Sequence, residues 1–550
     1  MAKIRYSWYN SLRNEGHFMT KLSQEQLNNL SKEELVAETL KLQDQYIDLS
    51  QKVDFLSEQI MLMNQRQFGR KTEKNSVPDG QLNLFEFFNE VESLSKPSLP
   101  EPDIESVVVK SHSRKVKGKR EEDLKDLPVR IINHTLSEEE LKIKFPNGYK
   151  ELPNEIYKRL CVIPATFIVD EHHVHVYASL DNDGTIIKAQ RSKDLLRNSI
   201  ATPSVVASCM NAKYALANPL DRQSRCFKDN GVNLSTNTLA NWMIRCSEDY
   251  LSIMYDILHK KLYNYHLLHA DETPVRVSKD GRPAGSKSYM WVYRGEDSDE
   301  KNQIVLYDYQ KTRKLDHPRE FLKDFKGIVV TDGYQVYHSI DKERQDLTVA
   351  GCWVHSKRKF SEINKAFGHG SKRETMSHEA EDRISKMFAI DKSFDGLSIK
   401  EREKRRQSEL KPLVDDFFTW AKETYSKTAN KSALGQALSY CINQEQYLRV
   451  FLDNGSVPMD NNAAERAIRP FTVGRKNWVL IDTIKGARAS AVIYSLVETA
   501  KANNLRTYEY LELLLTEIPN HLDDKNFDYF ENLMPWSDYV KERCHTLKKS

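Results

Sequence analysis

The 550-residue chain predicts an α/β protein, a mixed-sheet core interrupted by a helical insertion. Three observations carry that expectation. YHLLHADE (Tyr265 to Glu272), KSYMWVYR (Lys287 to Arg294) and QIVLYDYQ (Gln303 to Gln310) are short runs with the residue types of buried strands. A helix candidate near Arg319 to Asp324 then precedes IVVTDGYQVY (Ile328 to Tyr337), whose strand ends at Asp332, so helix and strand alternate. From Met376 to Leu452 the apolar spacing returns to a helical period, over a stretch too long for a loop.

Taken in order, the first element is a heptad seam. Leu35, Leu42, Leu49, Leu56 and Met63 recur every seven residues, with Tyr46, Val53 and Ile60 at the intervening positions. That pattern predicts a coiled-coil helix over 22–70, ending near Gly69; an amphipathic helix packed on its own domain is the competing reading. Residues 71–126 read as a linker rich in Pro, Ser, Glu and Lys, with one apolar island (Leu82 to Phe88) and a basic strip, KSHSRKVKGKR (Lys110 to Arg120). Residues 127–195 form a small domain with weak strand patterns. Its His172, His173 and His175 lack an evident further ligand and read as structural or surface histidines. Residues 196–262 read as a helical DNA-binding or connector region, where Ser235 or Thr236 caps a helix bearing Leu239 and Trp242. The core then occupies 263–375, with a last short strand at Val349 to Trp353. The insertion covers 376–455, a functional helix and further C-terminal helices 456–520, and a tail 521–550.

The bulk numbers set limits. At 63.9 kDa the chain is long for a single core. Its mean hydropathy of -0.64 and 29% charged residues describe a polar protein, and no stretch is apolar enough to span a bilayer. The start, MAKIRYSWYN, lacks the apolar centre of a signal peptide. Seven scattered cysteines argue against a disulfide framework and suit a reducing cytoplasm. The net charge of +3 hides local basic clusters at 110–120, 357–359 and 402–406 that attract nucleic acid or serve as solvated faces.

Chemistry concentrates in three segments, LLHADETPV (Leu267 to Val275), IVVTDGYQVY and MDNNAAERAIRP (Met459 to Pro470). Asp271 and Asp332 each end an apolar run, and Glu465 opens a helix. Three carboxylates on separate elements suit two Mg²⁺ or Mn²⁺ ions ~3.5–4 Å apart, gripping a phosphate between them. Without a cation the trio would repel itself and raise at least one pKa. By spacing alone the signal is weak, since an aspartate after a strand is as often a turn or helix cap. The neighbours strengthen it. Asn461 and Asn462 brace the helix start or bind the scissile backbone; Arg466, Arg469, Arg475 and Lys476 suit phosphate. In CWVHSKRKF (Cys352 to Phe360), His355, Lys357, Arg358 and Lys359 are DNA-contact candidates while Trp353 and Phe360 anchor the element. His355 also fits a packing role, and Trp478 either stacks on a base or fills the core. Arg114, Lys117, Lys119 and Arg120 of the basic strip complete the DNA-contact set.

These segments, together with SIATPSVVA (Ser199 to Ala207), LDRQ (Leu220 to Gln223), GCWVHSKRKF (Gly351 to Phe360), DNNAAERAIRPFTVGRKNW (Asp460 to Trp478) and AVIYSLVETAKANNL (Ala491 to Leu505), resemble the insertion-sequence 66 family of DDE transposases. The resemblance runs from about Leu127 to the C-terminus. It implies an RNase H-like sheet with Asp271, Asp332 and Glu465 as the catalytic and metal-binding trio. It also implies double-stranded DNA partners (terminal inverted repeats and target), cleavage followed by strand transfer, co-encoded accessory proteins and a bacterial, nucleoid-associated location. One departure is visible: the family's small zinc-finger-like module has cysteine pairs, whereas KIKFPNGYK (Lys142 to Lys150) and YASLDNDG (Tyr177 to Gly184) have none, so zinc is not expected there. The coiled coil predicts a homo-oligomer, at least a dimer. Competing readings are a DNA-binding relic without catalysis, an acid/base hydrolase with paired carboxylates, and a coiled-coil scaffold.

Overall fold

A computed structural model describes residues 193–283, 285–295, 302–366, 375–524 and 527–545, with short stretches at 31–43, 167–178 and 186–189 and isolated positions 49, 131, 139 and 146–147. The chain divides into two compact units, Lys74–Arg191 and the remainder. In the first, β1 (Val176–Ala178) pairs antiparallel with β2 (Ile186–Lys188), Tyr177 opposite Ile187. His172, His173 and His175 are exposed there, and His173 Nε2 lies 3.0 Å from Glu171. Arg114, Lys117, Lys119 and Arg120 lie outside the described residues. So do heptad positions Tyr46, Val53, Leu56, Ile60 and Met63; residues 32–43 are helical, with Leu35 and Leu42 exposed.

The second unit holds a five-stranded sheet. Its strands are β3 (Leu267–Val275), β5 (Ser288–Gly295), β6 (Ile304–Gln310), β7 (Gly327–Thr331) and β8 (Leu347–Gly351), in the order β6-β5-β3-β7-β8. β6, β5 and β3 are antiparallel; β3, β7 and β8 are parallel. A separate parallel pair joins β4 (Val277–Lys279) to β9 (Ile481–Thr483). The parallel strands are apolar on both faces because both are covered. Val329 and Val330 point opposite ways and both are fully buried. Two boundaries differ from the sequence expectation. β3 does not stop at Asp271, since pairing with β5 carries it to Val275; only its parallel pairing with β7 ends, at His269. The strand expected at Val349 to Trp353 ends at Gly351, and Trp353 opens a helix.

Four helices, Pro203–Met210, Leu220–Asp229, Thr236–Cys246 and Ser252–Leu262, precede the sheet. Ser235 caps the third, its hydroxyl accepting from the Thr238 N–H at 3.1 Å. Helix α1 (Gln335–Glu343) links β7 to β8, and α2 (Trp353–Ala366) follows β8. Then come the insertion helices, chiefly Met376–Lys392, Ile399–Arg405, Lys411–Ser426 and Ala433–Asn443. They pack around the buried Trp353, Phe360, Phe417 and Phe418 in a core of their own. Its exit is fixed by Arg406, which is completely buried. Arg406 pairs with Asp391 and donates to the carbonyls of Phe451 (2.9 Å), Asn454 (3.1 Å) and Val457 (2.8 Å). The basic cluster at 402–406 is therefore largely engaged within the chain, with Lys404 left exposed. Arg402 faces Asp395, Arg405 faces Glu409, and Arg406 is internal.

After the insertion, α3 (Asn462–Trp478) packs on β3 and β5, and α4 (Ile484–Ala502) closes the rim at β6. The closure is unusual in its means. Along the outer edge of β6 the backbone groups of Gln303, Val305 and Tyr307 are met by side chains, not by a strand. Asn503 accepts from the Gln303 N–H (3.2 Å) and donates to its carbonyl (2.7 Å); Thr499 does both for Val305 (3.0 Å each); Ser495 accepts from the Tyr307 N–H (2.7 Å). The spacing works because four helical residues rise about 6 Å and two strand residues about 6.7 Å. Thr499→Val and Ser495→Ala each strand buried backbone groups of β6. Each should cost about 1–3 kcal/mol in chemical unfolding, whereas Thr516→Val, whose exposed hydroxyl bonds only within its own helix, should change stability by less than about 0.5 kcal/mol.

Candidate active site

Register places the two aspartates side by side. His269 of β3 lies opposite Val330 of β7 in the parallel ladder. Two residues further along stand Asp271, within β3, and Asp332, the first residue past β7, at the carboxyl end of the pair, where open α/β sheets receive ligands. Each carboxylate spends one oxygen locally: Asp271 Oδ1 accepts from the Glu272 N–H (2.8 Å) and Asp332 Oδ1 from the Tyr334 N–H (3.0 Å). Gly333 makes the turn between them and Tyr334 with φ +89, and a Cβ there would come within 2.7 Å of the Tyr440 hydroxyl. That hydroxyl donates to the Asp332 carbonyl at 2.7 Å.

Glu465 comes from the first turn of α3, and one residue sets its position. Asn461 is completely buried. Its side-chain amide donates to the Ala270 carbonyl (2.9 Å) and its Oδ1 meets His269 Nδ1 (2.9 Å), while its backbone carbonyl accepts from the Glu465 N–H (3.1 Å). The strand carrying Asp271 and the helix carrying Glu465 are thus stitched together by one amide.

The electrostatics are those of crowded anions. Burial, then the charges of Glu272, Asp332 and Glu465, push the Asp271 carboxyl well above the usual range. Burial and Asp332 raise Glu272 to about 7 against the pull of Arg313. Among the described residues no Lys, Arg or His lies within ion-pair distance of Asp271 or Asp332. Glu465 differs. Arg358 Nη2 lies 3.2 and 3.3 Å from its two oxygens, and His355 Nε2 lies 3.7 Å away. Burial, then Arg358, hold the His355 pKa below its usual value, although Asp332 and Glu465 pull it upward. Asp271 and Glu465 line one cavity with Arg469 and Thr472; Asp332 lines an adjoining cavity of ≈ 280 Å³ with Arg313, Tyr334, Lys359 and Tyr440; His355 and Arg358 line both. Hard oxygen donors with an unmatched negative field suit a divalent cation in residue type and in the placement of the aspartates. Among the described residues, though, no three ligands stand already converged, because Glu465 is turned to Arg358.

The expected DNA contacts divide. Arg466 and Lys476 are exposed, Arg469 lines the cavity of Asp271, and Lys357, Arg358 and Lys359 are half-buried along α2. Lys359 sits over the Tyr440 ring, 4.3 Å from its centre. Asn462 is half-buried, with its N–H bonded to Asp460 at 2.9 Å. Two expectations are corrected. Asn461 is internal and braces the helix, so it does not face DNA. Arg475 turns back onto β3, donating to Thr273 Oγ1 (2.8 Å) and the Pro274 carbonyl. Trp478 packs edge-on against Phe471, ring centres 5.5 Å apart. Sequence reasoning also passed over Glu272 and Arg313. Glu272 lies on the opposite face from Asp271, is ion-paired to Arg313, and Arg313 stacks 3.6 Å from the Tyr334 ring centre. The ADET segment signals this glutamate but not its distant partner.

The Asn461 stitch makes a direct prediction. Asn461→Ala leaves the Ala270 carbonyl and His269 without that amide and should cost about 1–3 kcal/mol by chemical denaturation. Asn461→Asp, which sets an acceptor against the Ala270 carbonyl, should cost more at neutral pH.

Comparison with known proteins agrees with the arrangement. The profile described as "Transposase IS66 family" matches residues 198–489, more than half the chain. "Transposase C of IS166 homeodomain" matches 56–132 and "IS66 C-terminal element" matches 495–536. Three similar proteins come from Sinorhizobium fredii (strain NBRC 101917 / NGR234), each named only as uncharacterized. Protein y4qI is 28% identical over 393 residues (69% of this chain and 70% of its own), and y4hP is 27% identical over 347 residues (61% and 62%). Protein y4jD is 26% identical over 386 residues (69% and 74%). With all three segments matched in order, the chain belongs to the IS66 family of DDE transposases, whose reaction is the cutting and joining of DNA in transposition.

Proposed function

We propose that Asp271, Asp332 and Glu465 hold two Mg²⁺ or Mn²⁺ ions against DNA phosphate, and that the chain cleaves element ends and joins them to target DNA. The observation that carries this reading is the pair of adjacent aspartates where the parallel ladder of β3 and β7 ends, crowded by further carboxylates and without a basic ion-pair partner among the described residues. When bound, the cations offset that charge, ease deprotonation of the attacking oxygen and stabilise the leaving 3′-oxygen. The sheet order, three antiparallel strands beside two parallel ones, supports an RNase H-like core.

The residues divide the remaining work. Asp271 and Asp332 each have one oxygen tied to a backbone N–H, which fixes the direction of the other. Glu465 completes the set by leaving Arg358. Arg358, Lys359 and Arg469 line the cavities where a phosphate would enter and meet its oxygens as charged donors. Water first displaces the 3′-oxygen at the element end, losing its proton to solvent. The freed 3′-hydroxyl then displaces a 3′-oxygen in the target strand, so one phosphodiester is broken and one made. On this reading the segments 22–70 and 71–126 serve pairing and phosphate contact, and 127–195 follows them in sequence. Double-stranded DNA, a second copy and co-encoded accessory proteins are the partners, on the nucleoid. Among the described residues no helix is long and apolar enough to cross a membrane.

Cleavage and joining of a labelled element-end duplex tests the proposal. Mg²⁺ or Mn²⁺ should be required, a chelator should stop both steps, and Asp271→Asn or Asp332→Asn should reduce the rate at least about a hundredfold. Undiminished activity of Asp332→Asn would refute the assignment.

A further inference from the structure

The contact between Arg358 and Glu465 joins residues 107 positions apart, on α2 and α3, and satisfies both oxygens of a carboxylate that the reaction requires elsewhere. Arg358 lines both the cavity of Asp332 and the cavity of Asp271 and Glu465. Its side chain is 39% exposed, so a phosphate can reach the guanidinium without any movement of the backbone. Building on the metal-binding reading above, we propose that Arg358 is a positioning residue. Through Nη2 it stands in for a cation at Glu465 while DNA is absent, and it transfers its guanidinium to a DNA phosphate when DNA arrives.

Carboxylate and phosphate offer the guanidinium the same paired-oxygen geometry, so exchanging one for the other is nearly even in hydrogen bonds. The imbalance falls on Glu465. Left beside Asp271 and Asp332 with no counter-charge it would repel both, and a divalent cation removes that cost. DNA and metal are then coupled through one side chain. DNA tightens metal binding, and by reciprocity metal tightens DNA binding by the same factor. Without DNA the site is biased against loading. His355, 3.3 Å from Arg358 Nη1 and 3.7 Å from Glu465, lines the space across which the exchange occurs.

Mn²⁺ binding to the full chain, measured by electron paramagnetic resonance, reads this out without any turnover. In DNA-free protein Arg358→Gln should tighten Mn²⁺ binding roughly two- to fivefold over wild type, the range set by a half-exposed ion pair. Arg358→Lys, which keeps the charge and loses the fork, should fall between them. Adding Glu465→Gln to Arg358→Gln should erase the gain. A short DNA duplex should tighten Mn²⁺ binding in wild type but not in Arg358→Gln. The inference is overturned if Arg358→Gln binds Mn²⁺ no better than wild type while Asp271→Asn still weakens binding. If Asp271→Asn binds Mn²⁺ as wild type does, the carboxylate site itself is wrong, which is a separate failure.

Discussion

A single buried amide holds the candidate site together. Asn461 spans the gap between the third strand and the helix that follows the insertion, touching the residue before Asp271 and the first turn that bears Glu465. The two elements are nearly two hundred residues apart in sequence, and a long helical insertion folds between them. Such an insertion can tolerate surface change provided its two ends return to the same place. Trp353 at its entrance makes that return explicit: its N–H donates to the Met459 carbonyl and its ring nitrogen to Leu448. Arg406 gathers the exit loop from Phe451 to Val457. The insertion is a frame for the last carboxylate as well as an appendage.

That frame supports a site under electrostatic tension. Asp271 and Glu272 are both held above the usual carboxyl range by burial and by one another's neighbours. Glu272 finds Arg313 and Glu465 finds Arg358, while Asp271 and Asp332 have no such partner among the described residues. A protein optimised for folding alone would replace one of these groups. Their persistence side by side is the expected signature of a site whose stabilising charge arrives with its ligands.

Much of this was legible in the primary structure, and the gaps have physical causes. The strand runs around Leu267, Val292 and Leu306 announce themselves because alternation and β-branched or aromatic residues follow from half or full burial. Ser235 was readable as a cap because capping is local. The position of Glu465 on a helix start was equally local. Arg406 and Arg475 misled, because a guanidinium looks the same in sequence whether it faces solvent, a carboxylate or a backbone carbonyl. Asn461 was ambiguous for the same reason, and only tertiary contact decides between bracing and binding. β3 ran past Asp271 because its antiparallel neighbour, a long-range partner, continued to pair with it. The side-chain ladder from α4 onto β6 was invisible as well: Ser495, Thr499 and Asn503 read as ordinary small polar residues until the strand beside them is placed.

That ladder has a consequence beyond stability. At the opposite rim only the end of β8 is shown closely packed, where the backbone of Tyr447 and Leu448 comes within 3.3 Å of a Cβ built at Gly351. Along the β6 margin a neighbouring molecule meets main chain already bonded at Gln303, Val305 and Tyr307, and cannot extend the sheet there by annealing a strand of its own. Any contact made by another chain at that margin must therefore be written in side chains.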